Sequence, residues 1–322
     1  MALPRAPRGP RAAPLALLAP IALLALLALA GCGGDAPPCP PCPEPAPCPE
    51  PAPCPEPALA PAPRPAPGGR LEAIARRGAL RCGVRDTVIP FSFTDEQTGQ
   101  IIGFEPDLCR ALAQDLGVRA ELVPVTPSTR LPLLLAGDID CIAATLTHHH
   151  GREADLDFSI TYFMDGQKLL ARTGSPVRSP TDLAARRVGV VEDSFAAQAL
   201  REAQPECRPV PFPGHAEAFL ALKRGQVDAI SADATILLGL KNSDQDPAAW
   251  AIAGDYITDE PFALGLPQND SALRDRVNLV LQRLWLSGEY MKLYNRWFGP
   301  HTKYYLPTSW RMEVWPGAAD KP

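Results

Sequence analysis

The chain has 322 residues, 46% of them hydrophobic, and a formal net charge of −5. It can bury a sizeable core, and with no basic excess and no Lys/Arg cluster past the N-terminal region it is not expected to bind nucleic acid. The 39 prolines concentrate before residue 70, which leaves roughly 250 residues for a folded body, the size of one bilobed domain or two small ones.

Arg5, Arg8 and Arg11 precede a Leu/Ala-rich run over 15–30, the positive n-region and short apolar h-region of an export signal. The run is too short, and too closely followed by a processing site, to be a good spanning helix. It ends in Leu29-Ala30-Gly31-Cys32, which resembles the bacterial lipobox. The resemblance implies a signal peptide over 1–31 and a diacylated Cys32, whose two chains suffice for stable anchoring. Gly33 after the Cys favours the outer membrane if the cell is Gram-negative. The expected location is periplasmic or at the cell surface, an oxidising setting in which thiols are candidates for disulfides.

The spacer over 32–69 is low in complexity. Cys-Pro-Glu-Pro-Ala-Pro begins at Cys42 and again at Cys48, with a partial copy from Cys54. Such a segment cannot bury a core; it is expected to run as extended polyproline II and to reach up to roughly 100 Å. Cys39, Cys42, Cys48 and Cys54 are separated by multiples of three, the period of that helix, so their thiols form one stripe. Neighbouring thiols would lie about 9 Å apart, too far for a bridge within the chain. Either they form interchain disulfides or the repeat is an expansion without a role.

From Arg70 the sequence alternates β-rich runs with amphipathic stretches, an α/β signature. A helix opens with Leu71 and Ile74 and stops at Gly78, and a strand follows over 80–84. The runs 91–93 and 101–104 flank a polar turn and read as a hairpin. A helix begins at Pro106 and ends at Gly117, proline and glycine in the expected order. A strand over 118–125, a short helix over 128–135 and a buried strand over 140–144 complete the first half. The pattern restarts beyond Ala171. Ser179 and Thr181 cap a short helix. Strands are expected over 188–191, 210–212, 227–230, 252–257 and 263–266. Helices are expected over 194–203, 216–224, 232–241, 272–286 and 289–297. The aromatic tail is irregular and wraps the body.

The restart implies two α/β lobes, lobe 1 over 70–170 plus 262–311 and lobe 2 over 171–261, with a tail over 312–322. Hinge strands fall near 169–173 and 254–264. Open α/β sheets bind ligands beyond the carboxyl ends of their strands, so the crevice between the lobes is the expected site.

Several spaced motifs carry a resemblance to the family 3 bacterial extracellular solute-binding proteins. They are Arg81-Cys82-Gly83-Val84-Arg85, Gly103-Phe104-Glu105-Pro106-Asp107-Leu108, Leu134-Leu135-Ala136-Gly137-Asp138-Ile139-Asp140, then Thr147, Arg152 and Asp157-Phe158-Ser159, and Gly225-Gln226-Val227-Asp228-Ala229-Ile230. The resemblance covers 70–300 and implies a two-lobed periplasmic-binding-protein fold of type II (a Venus flytrap). It also implies an amino acid as ligand and an ABC permease as partner. Within the family the loops at 85–93 and 124–134, His215 and Asp233 look most like the glutamate/aspartate-binding branch.

The chemistry of such a clamp can be argued separately. An α-carboxylate needs a fork-shaped donor, the role of Arg152, with Thr145 and Thr147 offering hydroxyls. The α-ammonium needs a carboxylate, and Asp233 at a helix start supplies one. An acidic side chain needs further cations, which the resemblance assigns to Arg85, Arg130 and His215. Ser194 opens a helix whose free N–H groups favour an anion. No catalytic arrangement, metal or cofactor is expected.

The sequence also departs from the branch. Pro127 replaces a serine of the side-chain pocket, and His148-His149-His150 intervene before Arg152. Among Cys82, Cys109, Cys141 and Cys207, one pair in lobe 1 bridges or all are buried thiols. Two rival functions stay open, an enzyme on the same fold resembling cyclohexadienyl dehydratase, with His215 or Glu192 as acid, and a ligand-sensing lipoprotein.

Overall fold

The computed structural model describes residues 69–319. The export signal, Cys32 and the proline spacer with its four thiols lie outside the described residues.

α1 (Gly69–Arg77) buries Ile74 and stops at Gly78, whose φ of 67° suits glycine. β1 (Ala79–Val84) follows, then a small antiparallel sheet of β2 (Thr87–Val88), β3 (Ser92–Thr94) and β4 (Ile101–Ile102), which contains the expected hairpin. α2 (Phe104–Asp115) starts two residues earlier than Pro106 suggests. The proline therefore occupies the third helical position, where its missing N–H costs nothing. β5 (Arg119–Pro124), α3 (Arg130–Ala136), β6 (Cys141–Ala143) and the ten-residue β7 (Leu156–Asp165) come next.

The second half holds β8 (Gln167–Arg172), β9 (Arg187–Val191), α4 (Ala196–Ala203), β10 (Arg208–Phe212), α5 (His215–Lys223) and β11 (Ala229–Asp233). It continues with α6 (Ala234–Ser243), β12 (Trp250–Ala253), β13 (Glu260–Pro267), α7 (Ser271–Leu286) and α8 (Glu289–Phe298).

These strands form two five-stranded sheets, β5-β1-β6-β13-β7 and β10-β9-β11-β8-β12. In the first, β1 runs parallel to β5 and β6 while β13 is antiparallel to β6 and β7. In the second, β9 runs parallel to β10 and β11 while β8 is antiparallel to β11 and β12. This is the two-lobed type II fold.

The chain crosses between sheets twice; the first crossing differs from the sequence expectation, and the second, between β12 and β13, falls within the expected 254–264. β7 reaches Asp165 and β8 opens at Gln167, so the first crossing is at Gly166 rather than at 169–173. The return is complete by Glu260, which already pairs with Asp165 in the first sheet, two residues before the expected lobe boundary at 262. The crossings pack backbone to backbone. Ile257 N–H donates to the Gln167 carbonyl at 2.8 Å, and Gln167 N–H donates to Thr258 Oγ1 at 3.1 Å. A Cβ at Gly166 would stand 2.2 Å from the Thr258 carbonyl oxygen, so only glycine fits there.

The first lobe is built on an aromatic core in which Phe91, Phe104, Phe163, Phe262 and Phe298 are fully buried. Phe91 packs edge-on against Phe163 at 4.9 Å and against Phe262 at 5.5 Å, contacts worth about 0.5–1.5 kcal/mol each beyond their buried area. The second lobe has a smaller cluster on each side of its sheet, one aliphatic and one built around Phe219 and Trp250. Past α8 the tail lays Trp310 against Trp285 at 5.6 Å and buries Met312. Cys82, Cys109, Cys141 and Cys207 are buried free thiols, with the Cys82 and Cys141 sulfurs 3.4 Å apart on adjacent strands.

Candidate ligand site between the lobes

All eight residues singled out from sequence line one cavity between the lobes, about 490 Å³ of space not filled by atoms and partly open to solvent. A crevice walled by a few convergent polar groups is typical of small-molecule sites.

The first lobe contributes the cations. Arg85 follows β1, and its backbone carbonyl accepts from the Ser92 hydroxyl. Its guanidinium is buried, with Nε lacking a partner. Arg130 opens α3 and donates through Nη1 to the Ala144 carbonyl at 2.8 Å. Arg152 ends a short 3-10 turn, His150–Arg152, and donates to the Thr147 carbonyl at 2.9 Å. Among the described residues none of the three forms an ion pair within 4.0 Å. Burial, and then the neighbouring Arg152 and Arg85, push Arg130 down to about 9. The cavity is therefore primed for an anion.

Thr145 and Thr147 follow β6. Thr145 takes a φ of 45°, unusual for a β-branched residue. Its N–H donates to Glu105 Oε1 at 2.6 Å, which fixes that turn. Glu105 also accepts from the Tyr162 hydroxyl. Burial lifts it to about 6 against the pull of these bonds and of Arg85 and Arg130.

The second lobe contributes the remaining walls. Ser194 donates through Oγ to the Val191 carbonyl at 2.6 Å, and α4 begins two residues later than expected, with Phe195 at its cap. His215 is the first residue of α5; burial, and secondarily Arg85, push its imidazole down to about 3, so the ring is neutral. Asp233 ends β11 and precedes α6, and its Oδ1 is buried without a partner.

Sequence reasoning missed Glu260, which also lines the cavity. Its Oε2 accepts from Thr147 Oγ1 at 2.6 Å and its Oε1 from Thr258 Oγ1 at 3.0 Å. The available signal was its place inside the second expected hinge strand, 254–264. Phe195 was missed as well; its ring lies 4.7 Å from that of His149, across the lobe boundary. The three consecutive histidines diverge. His148 and His150 each engage one oxygen of Glu153, at 2.7 and 3.0 Å, while His149 faces Phe195. Pro127 lines the cavity where a hydroxyl would add a donor.

Two α/β lobes joined by two adjacent crossings, with unpaired arginines facing a carboxylate across the crevice, define a two-lobed solute-binding protein. Residues 80–300 match bacterial extracellular solute-binding proteins, family 3, and the chain belongs to that family. It is 35% identical over 231 residues to the ABC transporter glutamine-binding protein GlnH of Bacillus subtilis, covering 70% of this chain and 84% of that one. It is 26% identical over 242 residues to the glutamate/aspartate import solute-binding protein of Salmonella typhimurium, covering 72% and 80%. Among solved structures, an ancestral arginine-binding protein bound to arginine superposes with a TM-score of 0.66 at 33% identity, covering 69% of this chain and 99% of that one. An ancestral amino acid-binding protein described as a precursor of cyclohexadienyl dehydratase gives 0.65 at 32%, covering 71% and 98%.

Proposed function

We infer that this chain is the substrate-binding component of an ABC importer for polar amino acids, acidic ones (glutamate or aspartate) by preference. The observation that carries the reading is the set of Arg85, Arg130 and Arg152, all lining one cavity and, among the described residues, without an ion-pair partner, with Asp233 in the same lining. Arg152 takes the α-carboxylate through its planar fork, assisted by Thr145 and Thr147. Asp233 takes the α-ammonium. Arg85 and Arg130, with neutral His215 as hydrogen-bond partner, remain for a second carboxylate, and the Ser194 end of α4 adds polar contact. A ligand touching both lobes stabilises the closed form, which a membrane permease would read.

Relatives named for glutamine, for glutamate/aspartate and for arginine make selectivity the open quantity. A thermal-shift panel of glutamate, aspartate, glutamine, arginine and prephenate tests it. The expected outcome is stabilisation by glutamate or aspartate above the others. Stabilisation by glutamine or arginine alone would reject the acidic preference and keep the amino-acid reading.

The neighbour described as a dehydratase precursor favours one second reading, an enzyme in which a cavity acid acts on a carboxylated ring. Turnover of prephenate, measured in the same samples, would establish it. The lipid anchor is tested by Cys32→Ser, which should move the protein from the membrane fraction to the soluble fraction of the producing cell. Interchain bridging through Cys39, Cys42, Cys48 and Cys54 predicts a dimer band on non-reducing gels of the full chain.

A further inference from the structure

Three carboxyl groups meet where the chain crosses between the lobes. Asp165 ends β7 and Glu260 begins β13, and the two are direct register partners. Asp233 ends β11, in register with Gln167 on β8, one residue past the Gly166 crossing. Asp165 and Glu260 have both oxygens engaged. Asp165 accepts the N–H groups of Gly166 and Thr235 at 2.9 and 3.1 Å, and Glu260 accepts the hydroxyls of Thr147 and Thr258. Asp233 keeps Oδ1 buried and unpartnered, and it lines the same cavity as Glu260. Acids gathered in one buried place repel one another when all are ionised, and a proton held between two of them removes one of the charges.

The charged surroundings are few. From β7, Asp165 faces Asp233; from β13, Glu260 does so; from the 3-10 turn, Arg152 acts on both Asp233 and Glu260. Tyr256 and Tyr294 reach Asp165, and Lys168 lies over the Tyr256 ring at 4.5 Å. Three acids therefore meet one arginine, and a bound proton relieves the excess negative charge.

We propose that Glu260 completes the ammonium site by sharing one proton with Asp233 in the ligand-free clamp, so that an α-amino acid binds with release of that proton. The arriving –NH₃⁺ supplies the positive charge the proton had supplied. Both carboxylates then ionise, and the proton leaves to solvent. Burial, then Glu260 and Asp165, hold the Asp233 carboxyl well above the usual carboxylate range, in keeping with this arrangement. Glu260 acts through Asp233 and is a positioning residue.

The inference rests on the amino-acid reading above, and one titration separates the two. Isothermal calorimetry with L-glutamate and with L-glutamine, at about pH 7 in buffers of different ionisation enthalpy, counts protons released per ligand. We expect about one proton, the same for both ligands because both carry the ammonium. Glu260→Gln keeps an acceptor for Thr147 and, at whatever affinity it binds, should release less than about half as many protons per ligand bound. Binding without proton release in the wild type would overturn the inference, as would undiminished release in Glu260→Gln. No binding of any amino acid would instead reject the functional reading, and the inference with it.

Discussion

At Gly239 the backbone of α6 packs so tightly against Ile89 that a Cβ there would stand 2.0 Å from the Ile89 carbonyl oxygen. Gly239 belongs to the second lobe and Ile89 to the first, so the contact records how closely the lobes approach. Glycine serves here for space, in the middle of an ordinary helix. Gly239→Ala should leave each lobe folded, since alanine favours a helix interior. It should oppose closure by the roughly 1–3 kcal/mol typical of overpacking, a loss of affinity of about 5- to 150-fold. Calorimetry would measure the loss, and small-angle scattering would show that ligand no longer compacts the variant. Wild-type affinity in Gly239→Ala would mean that this approach is not needed for binding.

Arg152 is a cation whose field reaches both Asp233 and Glu260. Replacing it with alanine should cost about 2–5 kcal/mol of binding, roughly 30-fold or more. Arg152→Lys keeps the charge and loses the fork, so it should recover only part of that affinity. Arg85→Ala should instead weaken glutamate more than glutamine. Equal losses for the two ligands would place Arg85 away from the side-chain carboxylate.

The eight cavity residues were legible in the sequence because they are polar residues at strand ends, at helix starts and in the short turns between them. The hinge was less legible. The run from Leu156 to Arg172 alternates like one long strand broken by a single glycine, and only the sheet pairing shows two strands in two sheets. Glu260, in Asp259-Glu260-Pro261, has the look of a solvated acidic turn. It becomes buried because β13 pairs with β7, a contact between residues almost 100 positions apart. The strand expected from Val227 starts at Ala229 because Asp228 turns aside to accept the Arg187 N–H. That shift leaves Asp233 just ahead of α6, at the mouth of the cavity.

Asp140, from the same motif as Asp138, has a structural role. Its side chain is fully buried; it accepts the Arg81 N–H at 2.8 Å, pairs with Arg77, and lies 3.7 Å from Arg70. It thereby ties α1 and β1 to β6. Asp140→Asn leaves these arginines without a counter-charge, but both are partly exposed, so the cost should be about 1–3 kcal/mol. Urea unfolding should show that loss with ligand affinity unchanged. A variant as stable as the wild type would remove Asp140 from the structural set.

Glu105 offers a pH-dependent test of the turn that carries Thr145. Burial, partly opposed by Tyr162, Thr145 and the two arginines, lifts its carboxyl from 4.5 to about 6. The folded state therefore holds a proton that the unfolded state has lost between those values, and stability falls as pH rises through that window. The shift corresponds to roughly 2 kcal/mol. Glu105→Gln stays neutral and can still accept the Thr145 N–H. Below about pH 4.5 both states of the wild type are protonated, so wild type and variant should differ by a constant amount. From there to about pH 6 the variant should gain on the wild type by roughly 2 kcal/mol, then run parallel to it. Denaturant unfolding across that range measures the difference directly. A flat difference curve would show that Glu105 titrates in the folded chain as it does in the unfolded one, and a variant that loses ground as pH rises would show that Arg85 and Arg130 hold it ionised more firmly than burial opposes it.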